Sequence, residues 1–365
     1  MTGDEIARHR LQNQQLVAPT GSDPAEIVRL LGAVQSQDYP NAKWAIGQRC
    51  SATDDDIEGA FAAGRIVRTH LLRPTWHFVT AEDIRWLLAL TASRVSAGMA
   101  SYNRRLELDA RVFRKSNAVI VRTLRDGQQK TRAELAEELY RSGVNVSTGQ
   151  HVAHLLMQAE LDGVVCSGAR RGKQFTYALL DERVPAQKAR ERDESLADLV
   201  QRYFATRGPA TLHDFAWWSG LTIADAKRGI QAARGSEVVR VDISGREHWL
   251  MPSALPVNAA RTAHLLPNYD EYFIGFKDRS AIARRLRKTV TKPRTDALMG
   301  HVIVVDGQLI GGWRRTIGNN LTIELEPLVA LSRLEDKLVL AEAERMGRFL
   351  GLPVRTAVVG TKVRK

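Results

Sequence analysis

Cysteine is nearly missing from this chain. Cys50 and Cys166 stand far apart, match no metal-ligand spacing and offer no disulfide framework, so they read as reduced thiols in a cytosolic protein. There is no His-Glu-x-x-His, no Cys-x-x-Cys and no cluster of histidines, so no metal is expected. A glycine-rich phosphate loop and a dinucleotide fingerprint are both missing, which removes the common nucleotide cofactors. No Gly-x-Ser-x-Gly elbow is present, so the familiar serine hydrolases are excluded. No apolar run approaches the roughly eighteen residues of a membrane span, and the N-terminus lacks a signal-peptide core.

What is present is charge. Among 365 residues, 53 Lys and Arg stand against 41 Asp and Glu, a net charge of +12. The pI near 9.9 favours a polyanionic partner, nucleic acid first and an anionic membrane second. Hydrophobic content of 44% and charged content of 26% are ordinary for a globular chain of two or three domains.

Three segments share one grammar: helices, then two strands around a basic or glycine-bearing turn. The expectation is an α+β protein. Three tandem winged helix-turn-helix units would occupy 1–105, 106–190 and 191–255, and an α+β region with a β-hairpin would fill 256–365. The units would enclose a basic concave channel in a C-shaped, monomeric molecule. In the second segment, Thr131-Arg-Ala-Glu134 forms a capping box and Thr148 to Leu161 the recognition helix. Gln150, His154 and Gln158 fall at i, i+4 and i+8 on its outer face, suited to base edges or phosphates. Gly163 ends that helix, and Gly168-Ala-Arg170-Arg171-Gly172-Lys173 forms the wing tip. In the third segment Trp217 and Trp218 read as core rather than as stacking platforms. Further on, Arg284, Arg285, Arg287, Lys288, Lys292 and Arg294 form a cationic run. Asp306-Gly307 marks a type I′ hairpin turn, and Arg314-Arg315 follow it; the cations of the wing tip, of the run and of this pair are expected to contact DNA, the alternative being solvated surface charge.

Gln35-Ser-Gln-Asp-Tyr-Pro40 is the stretch that matters most. The preceding helix is well signalled, with Asp23 as N-cap, Pro24 at N1, Glu26 completing a capping box, and Ile27, Leu30, Leu31 and Val34 as its buried stripe. Pro40 disfavours the α region for Tyr39, so the helix is expected to end there. In an extended exit, Gln35 and Gln37 would face the same way and converge on one point.

These residues, with others, carry a family resemblance. Val34-Gln-Ser-Gln-Asp-Tyr-Pro40 resembles the catalytic stretch of the AlkZ/YcaQ family of winged-helix DNA glycosylases. Arg73-Pro-Thr-Trp-His-Phe-Val79 resembles that family's Arg-Gly-Thr-x-His stretch, with Pro74 in place of the glycine. Leu265 to Arg279 resembles its Pro-x-x-Asp-Glu-Tyr and Lys-Asp-Arg segment, and Val305 to Trp313 its C-terminal hairpin. The matches run in order along nearly the whole chain. The resemblance implies repair of bulky N7-alkylated purines. Gln37 at the second position is similar to the AlkZ branch, associated with producers of azinomycin-type alkylating agents and with unhooking of interstrand crosslinks; the YcaQ branch has Gln-x-Asp there.

The chemistry is consistent with that implication. A glutamine amide is no general base near neutral pH, yet it donates and accepts hydrogen bonds, so a pair can hold and aim one water. That suffices when the leaving group is already good, and an N7-alkylated guanine is cationic before any protonation. The expected catalytic residues are Gln35 and Gln37, with Asp38 as base or electrostatic stabiliser, or else merely forming the turn. His77 is a candidate for a secondary role, or else a core histidine. A large adduct cannot enter a snug pocket, so an open channel without base flipping is expected. A non-enzymatic winged-helix transcription regulator would share these features. An RNA binder fits less well, because no aromatic stacking platform is evident.

Overall fold

The computed structural model describes residues 1–19, 21–233, 235, 237–252, 260–289 and 300–359, leaving out the side chains of 288 and 289. Lys292 and Arg294 of the cationic run, and the side chain of Lys288, therefore lie outside the described residues.

Helix α1 (Gly3–Asn13) opens with a capping box between Thr2 and Glu5. Its buried Ala7 and Leu11 pack against Leu266, Tyr272 and Leu309, so it joins the C-terminal core rather than a first unit of its own. Helix α2 (Pro24–Leu31) starts where expected, with the Asp23 carboxylate accepting from Ala25 N and Pro24 in the first turn, but Glu26 does not complete the expected capping box. Its Ile27, Val28 and Leu31 are buried, each contributing about 1.5–3 kcal/mol relative to exposure.

The next stretch differs from the expectation. α2 stops at Leu31, not Val34, because Gly32 turns the chain at φ 78°, where a side chain would be strained. Val34 and Gln35 form a short strand, β1 (Val34–Gln35). Pro40 opens a helix instead of closing one. In α3 (Tyr39–Gly47) it lies in the first turn, where its missing N–H costs nothing, and Asp38 caps the helix. Helix α4 (Asp54–Ala62) follows with a Thr53–Asp56 capping box. Strands β2 (Ile66–Leu71) and β3 (Arg73–Thr80) turn through Leu72 at φ 61° and lead into the long α5 (Ile84–Arg105). The sheet order is β1-β3-β2, antiparallel throughout.

The second segment comprises α6 (Ala110–Leu124), β4 (Lys130–Thr131), α7 (Arg132–Arg141), α8 (Gly149–Leu161), β5 (Val165–Ser167) and β6 (Thr176–Leu179). Its sheet runs β4-β6-β5, the same order of first, last and middle strand. After the short α9 (Leu180–Arg183) come α10 (Arg192–Arg207), α11 (Leu212–Ser219), α12 (Ile223–Ala232), β7 (Val239–Ile243) and β8 (Arg246–Leu250). Here a single bridge from Ala210 to Trp249 of β8 stands where the first strand would pair. One connection pattern thus occurs three times without evident sequence repetition.

The C-terminal region contains β9 (Ala263–Leu266), α13 (Glu271–Ile274), α14 (Arg284–Thr289), β10 (Val302–Val305), β11 (Gln308–Ile317), β12 (Leu321–Pro327), α15 (Arg333–Leu350) and β13 (Val354–Val358). Its sheet order is β13-β12-β11-β10-β9. Only β12 and β13 are parallel, joined across the sheet by α15 as a parallel pair requires. The β10–β11 turn has Asp306 at φ 50° and Gly307 at φ 80°, both positive, as a type I′ turn demands. A Cβ on Gly307 would stand 2.8 Å from Ala7 Cβ, so the turn also needs glycine to receive α1.

The cores cross segment boundaries. One joins α2, α3 and α4 to the C-terminal sheet through Trp44, Phe349, Ile303 and Ile323. Another joins β2 and α5 to α10 and α11 through Leu87, Tyr203, Phe215 and Trp218. The strand carrying Gln35 lies between these two bodies of apolar packing.

Candidate active site

Two glutamines arise from one extended stretch, yet their environments differ. Gln35 is 7% exposed, whereas Gln37 is exposed. Arg73 Nη2 donates to Gln35 Oε1 at 3.0 Å, which orients that amide. The backbone N of Gln35 donates to Glu271 Oε1 at 3.0 Å. The second oxygen of Glu271 accepts from Arg207 at 2.6 Å and from Trp218 Nε1 at 2.8 Å. Glu271 and Arg207 are both fully buried, and the Arg207 guanidinium lies 4.3 Å over the Trp218 ring. A buried carboxylate therefore joins the β1 backbone to the third segment. Gln37 Oε1 accepts from the backbone N of Trp76 at 3.5 Å, a long contact that leaves its amide largely free. Both glutamines touch β3, at Arg73 and at Trp76. Among the described residues they have no shared protein partner.

Spare hydrogen-bonding capacity surrounds Gln35. Thr69 Oγ1, Arg73 Nε, Thr75 Oγ1 and His77 Nε2 are buried without a protein partner. Buried polar atoms seldom remain unsatisfied, so the sheet face that carries Gln35 has capacity for a further polar group. His77 is the cross-strand neighbour of Gln35 and is fully buried, with Nδ1 placed 2.9 Å from Thr75 O. Burial, with Arg73 adding to the effect, lowers its pKa to about 3, so it is neutral at physiological pH. It thus sits as a core histidine beside Gln35, with no cationic proton to give.

Asp38 is occupied in a capping role. Its Oδ2 accepts from Asn41 Nδ2 at 2.8 Å and its Oδ1 from Asn41 N at 3.4 Å. Asn41 also donates to Asn268 Oδ1 at 2.9 Å and accepts from Arg315 Nη2 at 2.7 Å. Arg315, expected as a phosphate contact, is thereby tied to α3. Nearby, the His301 ring stacks on Trp313 with centroids 4.5 Å apart, and His301 Nδ1 accepts from Asn268 N. Burial lowers the pKa of His301.

The expected DNA contacts divide. Gln150 is exposed on the first turn of α8. His154 and Gln158 are not on an open face: the His154 ring meets Asn103 Oδ1 at 2.7 Å, and Gln158 meets Ser96 Oγ at 3.4 Å and Asp162 at 2.7 Å. The long α5 packs along α8, with Val95 against Met157 and Leu161, and covers that side. The periodicity of α8 alone could not show that a neighbouring helix would lie there. Between β5 and β6, Arg170 folds back onto Glu58 at 3.3 Å and Arg171 pairs with Glu134 at 2.8 Å. Arg284 pairs with Asp4 at 3.2 Å and Arg285 with Glu335 at 2.6 Å. Lys173, Arg287 and Arg314 are exposed and form no ion pair among the described residues. Trp218 is fully buried, while Trp217 is 45% exposed and donates to Ile274 O.

Sequence reasoning missed Glu271, Arg207, Trp218, Asn41 and Asn268 as members of this site. Glu271 and Asn268 lie inside the stretch that carried the family resemblance, and that was the available signal. No group of three or more His, Cys, Asp or Glu is placed to hold a metal among the described residues. Nor is any described helix long and apolar enough to cross a membrane.

Comparisons with known proteins bear on the family and the fold. The family model described as "DNA glycosylase AlkZ-like" matches residues 28–349. The solved structure of Streptomyces sahachiroi DNA glycosylase AlkZ is similar with a TM-score of 0.78 at 24% identity, covering 98% of this chain and all of that one. No curated protein matches. An enzyme family decides against the purely DNA-binding regulator. With a family model matched over most of its length and a fold to go with it, the chain belongs to the AlkZ-like family of DNA glycosylases.

Proposed function

We propose that the protein hydrolyses the N-glycosidic bond of bulky N7-alkylated purines in duplex DNA, with Gln35 and Gln37 aiming the attacking water. The observation that carries this reading is the contrast between the two amides. Gln35 is held by Arg73 through its side chain and by Glu271 through its backbone, and Gln37 stands exposed beside it. One amide is fixed and the other meets the substrate.

The leaving group supplies most of the driving force. Alkylation at N7 makes the purine cationic. As the C1′–N9 bond breaks, its electron pair returns to the base, which departs neutral and leaves an oxocarbenium ion on the sugar. The water oxygen then bonds to C1′ and its proton passes to solvent. No strong base is required, which suits amides. Their contribution is orientation of the water and of its lone pair. Gln35 Oε1 already accepts from Arg73, and its second lone pair remains to receive a hydrogen from water.

The three repeated segments act as winged helix-turn-helix units around an open basic channel, with boundaries near 105, 190 and 255. Their strand order supports that reading. Lys173, Arg287, Arg314 and Gln150 are the exposed side chains offered to DNA, and Lys288 stands beside Arg287 in sequence. An open channel admits an adduct too large for a sealed pocket, and with it a crosslinked base. Unhooking of crosslinks, and self-protection against an alkylating natural product, follow as the biological setting. The protein acts as a monomer on chromosomal DNA in the cytoplasm. The test is incubation with duplexes carrying one defined bulky N7-alkylguanine. Alkaline cleavage at the lesion supports the proposal, and an intact strand refutes it.

A further inference from the structure

On the other face of the β1-β3-β2 sheet lies a second feature that the hydrolysis does not use. The strand register places Gln35, His77 and Thr69 side by side on one face, and Val34, Phe78 and Arg68 on the other. Arg68 opens onto a cleft of about 710 Å³ between the first and second segments. That volume is ample for one nucleotide. The walls are Trp76, Phe175, Val146 and the N-terminal end of α8 at Thr148 and Gly149, with Arg132 and Lys173 at the rim.

Arg68 is unusual. It is only 7% exposed, and its guanidinium lies 4.2 Å from the Trp76 ring centroid and 4.5 Å from that of Phe175. Its Nε donates to Ser36 O, between the two glutamines, at 3.1 Å. Among the described residues it has no carboxylate partner. Glu160, the acid that acts on it, is engaged by His70. A buried arginine normally faces an anion. Here the cations Arg68, Arg132 and Lys173 and the first-turn N–H groups of α8 all favour negative charge, while the aromatic rings offer surface to a base. Phosphate and aromatic base together describe a nucleotide. The same positive field opposes entry of a cationic N7-alkylpurine.

We infer that this cleft receives one unstacked nucleotide of the bound DNA that carries an uncharged base, and not the lesion base, with its phosphate on Arg68 and the rim cations and its base edge-on to Trp76 and Phe175, whose rings Arg68 already lies over. The inference rests on the glycosylase reading above for the position of the duplex at Gln37, whose amide touches the Trp76 backbone at the sheet edge. It differs from that reading in requiring one nucleotide to leave the stack while the lesion stays in it. A single held nucleotide would fix the register of the lesion beside the glutamines.

The experiment uses duplexes with an uncleavable 2′-fluoro analogue of N7-methylguanosine as the lesion. 2-Aminopurine, which brightens on unstacking, is placed in turn opposite the lesion and at each flanking position. Emission is read with saturating full-length protein, and duplex affinity is followed by anisotropy. Ala133→Trp fills the cleft from an exposed position, and Arg68→Met removes the buried charge while keeping its bulk. A several-fold brightening at one position, lost in Ala133→Trp and in Arg68→Met, is the expected result. Should Arg68→Met fail to fold, Ala133→Trp decides alone. No brightening at any position, or brightening that survives in Ala133→Trp, overturns the inference. Base release from ordinary N7-methylguanine duplexes is measured alongside. Release without brightening sinks only the cleft, whereas brightening without release sinks only the glycosylase reading.

Discussion

Replacing Glu271 by alanine exposes the energetic logic of the site. The carboxylate is fully buried and accepts three hydrogen bonds: from Arg207 at 2.6 Å, Trp218 Nε1 at 2.8 Å and Gln35 N at 3.0 Å. Its removal leaves the Arg207 charge buried without its ion-pair partner. Breaking one side of such a pair costs about 3–5 kcal/mol, because the remaining charge is neither solvated nor compensated. The Arg207 guanidinium keeps bonds to Leu31 O and Thr206 Oγ1, which favours the lower end of that range. Urea denaturation of Glu271→Ala against the wild type measures the loss. The double variant Glu271→Ala/Arg207→Met should recover most of it, since no isolated charge is then buried. Base release should behave differently. The Gln35 backbone has lost its anchor in both variants, and a displacement of about 1 Å costs on the order of a hundredfold in rate, so both should be slow. A Glu271→Ala protein within about 1 kcal/mol of wild type would refute the buried-pair argument. Restored base release in the double variant would refute the positioning argument.

Other outcomes follow from the same contacts. Gln37→Ala should slow base release by about a hundredfold with stability changed by less than about 0.5 kcal/mol, because the side chain is exposed; urea midpoints and single-turnover rates check both. Removing an exposed cation with Arg314→Ala or Arg287→Ala should reduce the slope of log affinity against log salt by about 1, measured by anisotropy on undamaged duplex. Arg171→Ala, which loses a side chain already paired with Glu134, should change that slope less. Stability should also report the buried titrating groups. Burial lowers His77 and His264 to about 3, so the unfolded chain takes up protons below its ordinary pKa of 6.5 and stability falls as pH falls. Glu342 is held up to about 7 by burial, so between about 7 and 4.5 the folded chain keeps a proton that the unfolded chain loses, an opposing effect. Glu342→Gln should therefore steepen the stability loss between pH 6 and pH 5 by about 1.4 kcal/mol, read from urea midpoints.

Much of this was legible in the chain because helix starts carry local chemistry. The Thr131–Glu134 cap forms as its spacing suggested, and Thr211–Asp214 and Thr222–Asp225 form capping boxes of the same spacing. The Asp306-Gly307 turn likewise declared its own geometry. Pro40 was misleading because proline both restricts the residue before it and suits the first turn of a helix. The local pattern fits either outcome, and the positive φ of Gly32 had already ended α2. The face of α8 misled for another reason: a polar side chain on a helix can meet water, DNA or a second helix, and only the path of α5 decides. Glu271 has no local signature at all. It reaches Gln35 across 236 positions of sequence, and a contact that remote is set by packing between segments.

The most direct measurement of the central claim is single-turnover base release from a duplex with one N7-alkylguanine, comparing wild type with Gln35→Ala/Gln37→Ala at equal duplex affinity. The account predicts abasic sites with the wild type and almost none with the double variant. Equal release by both proteins would contradict it, because the water would then be aimed by something other than the two amides.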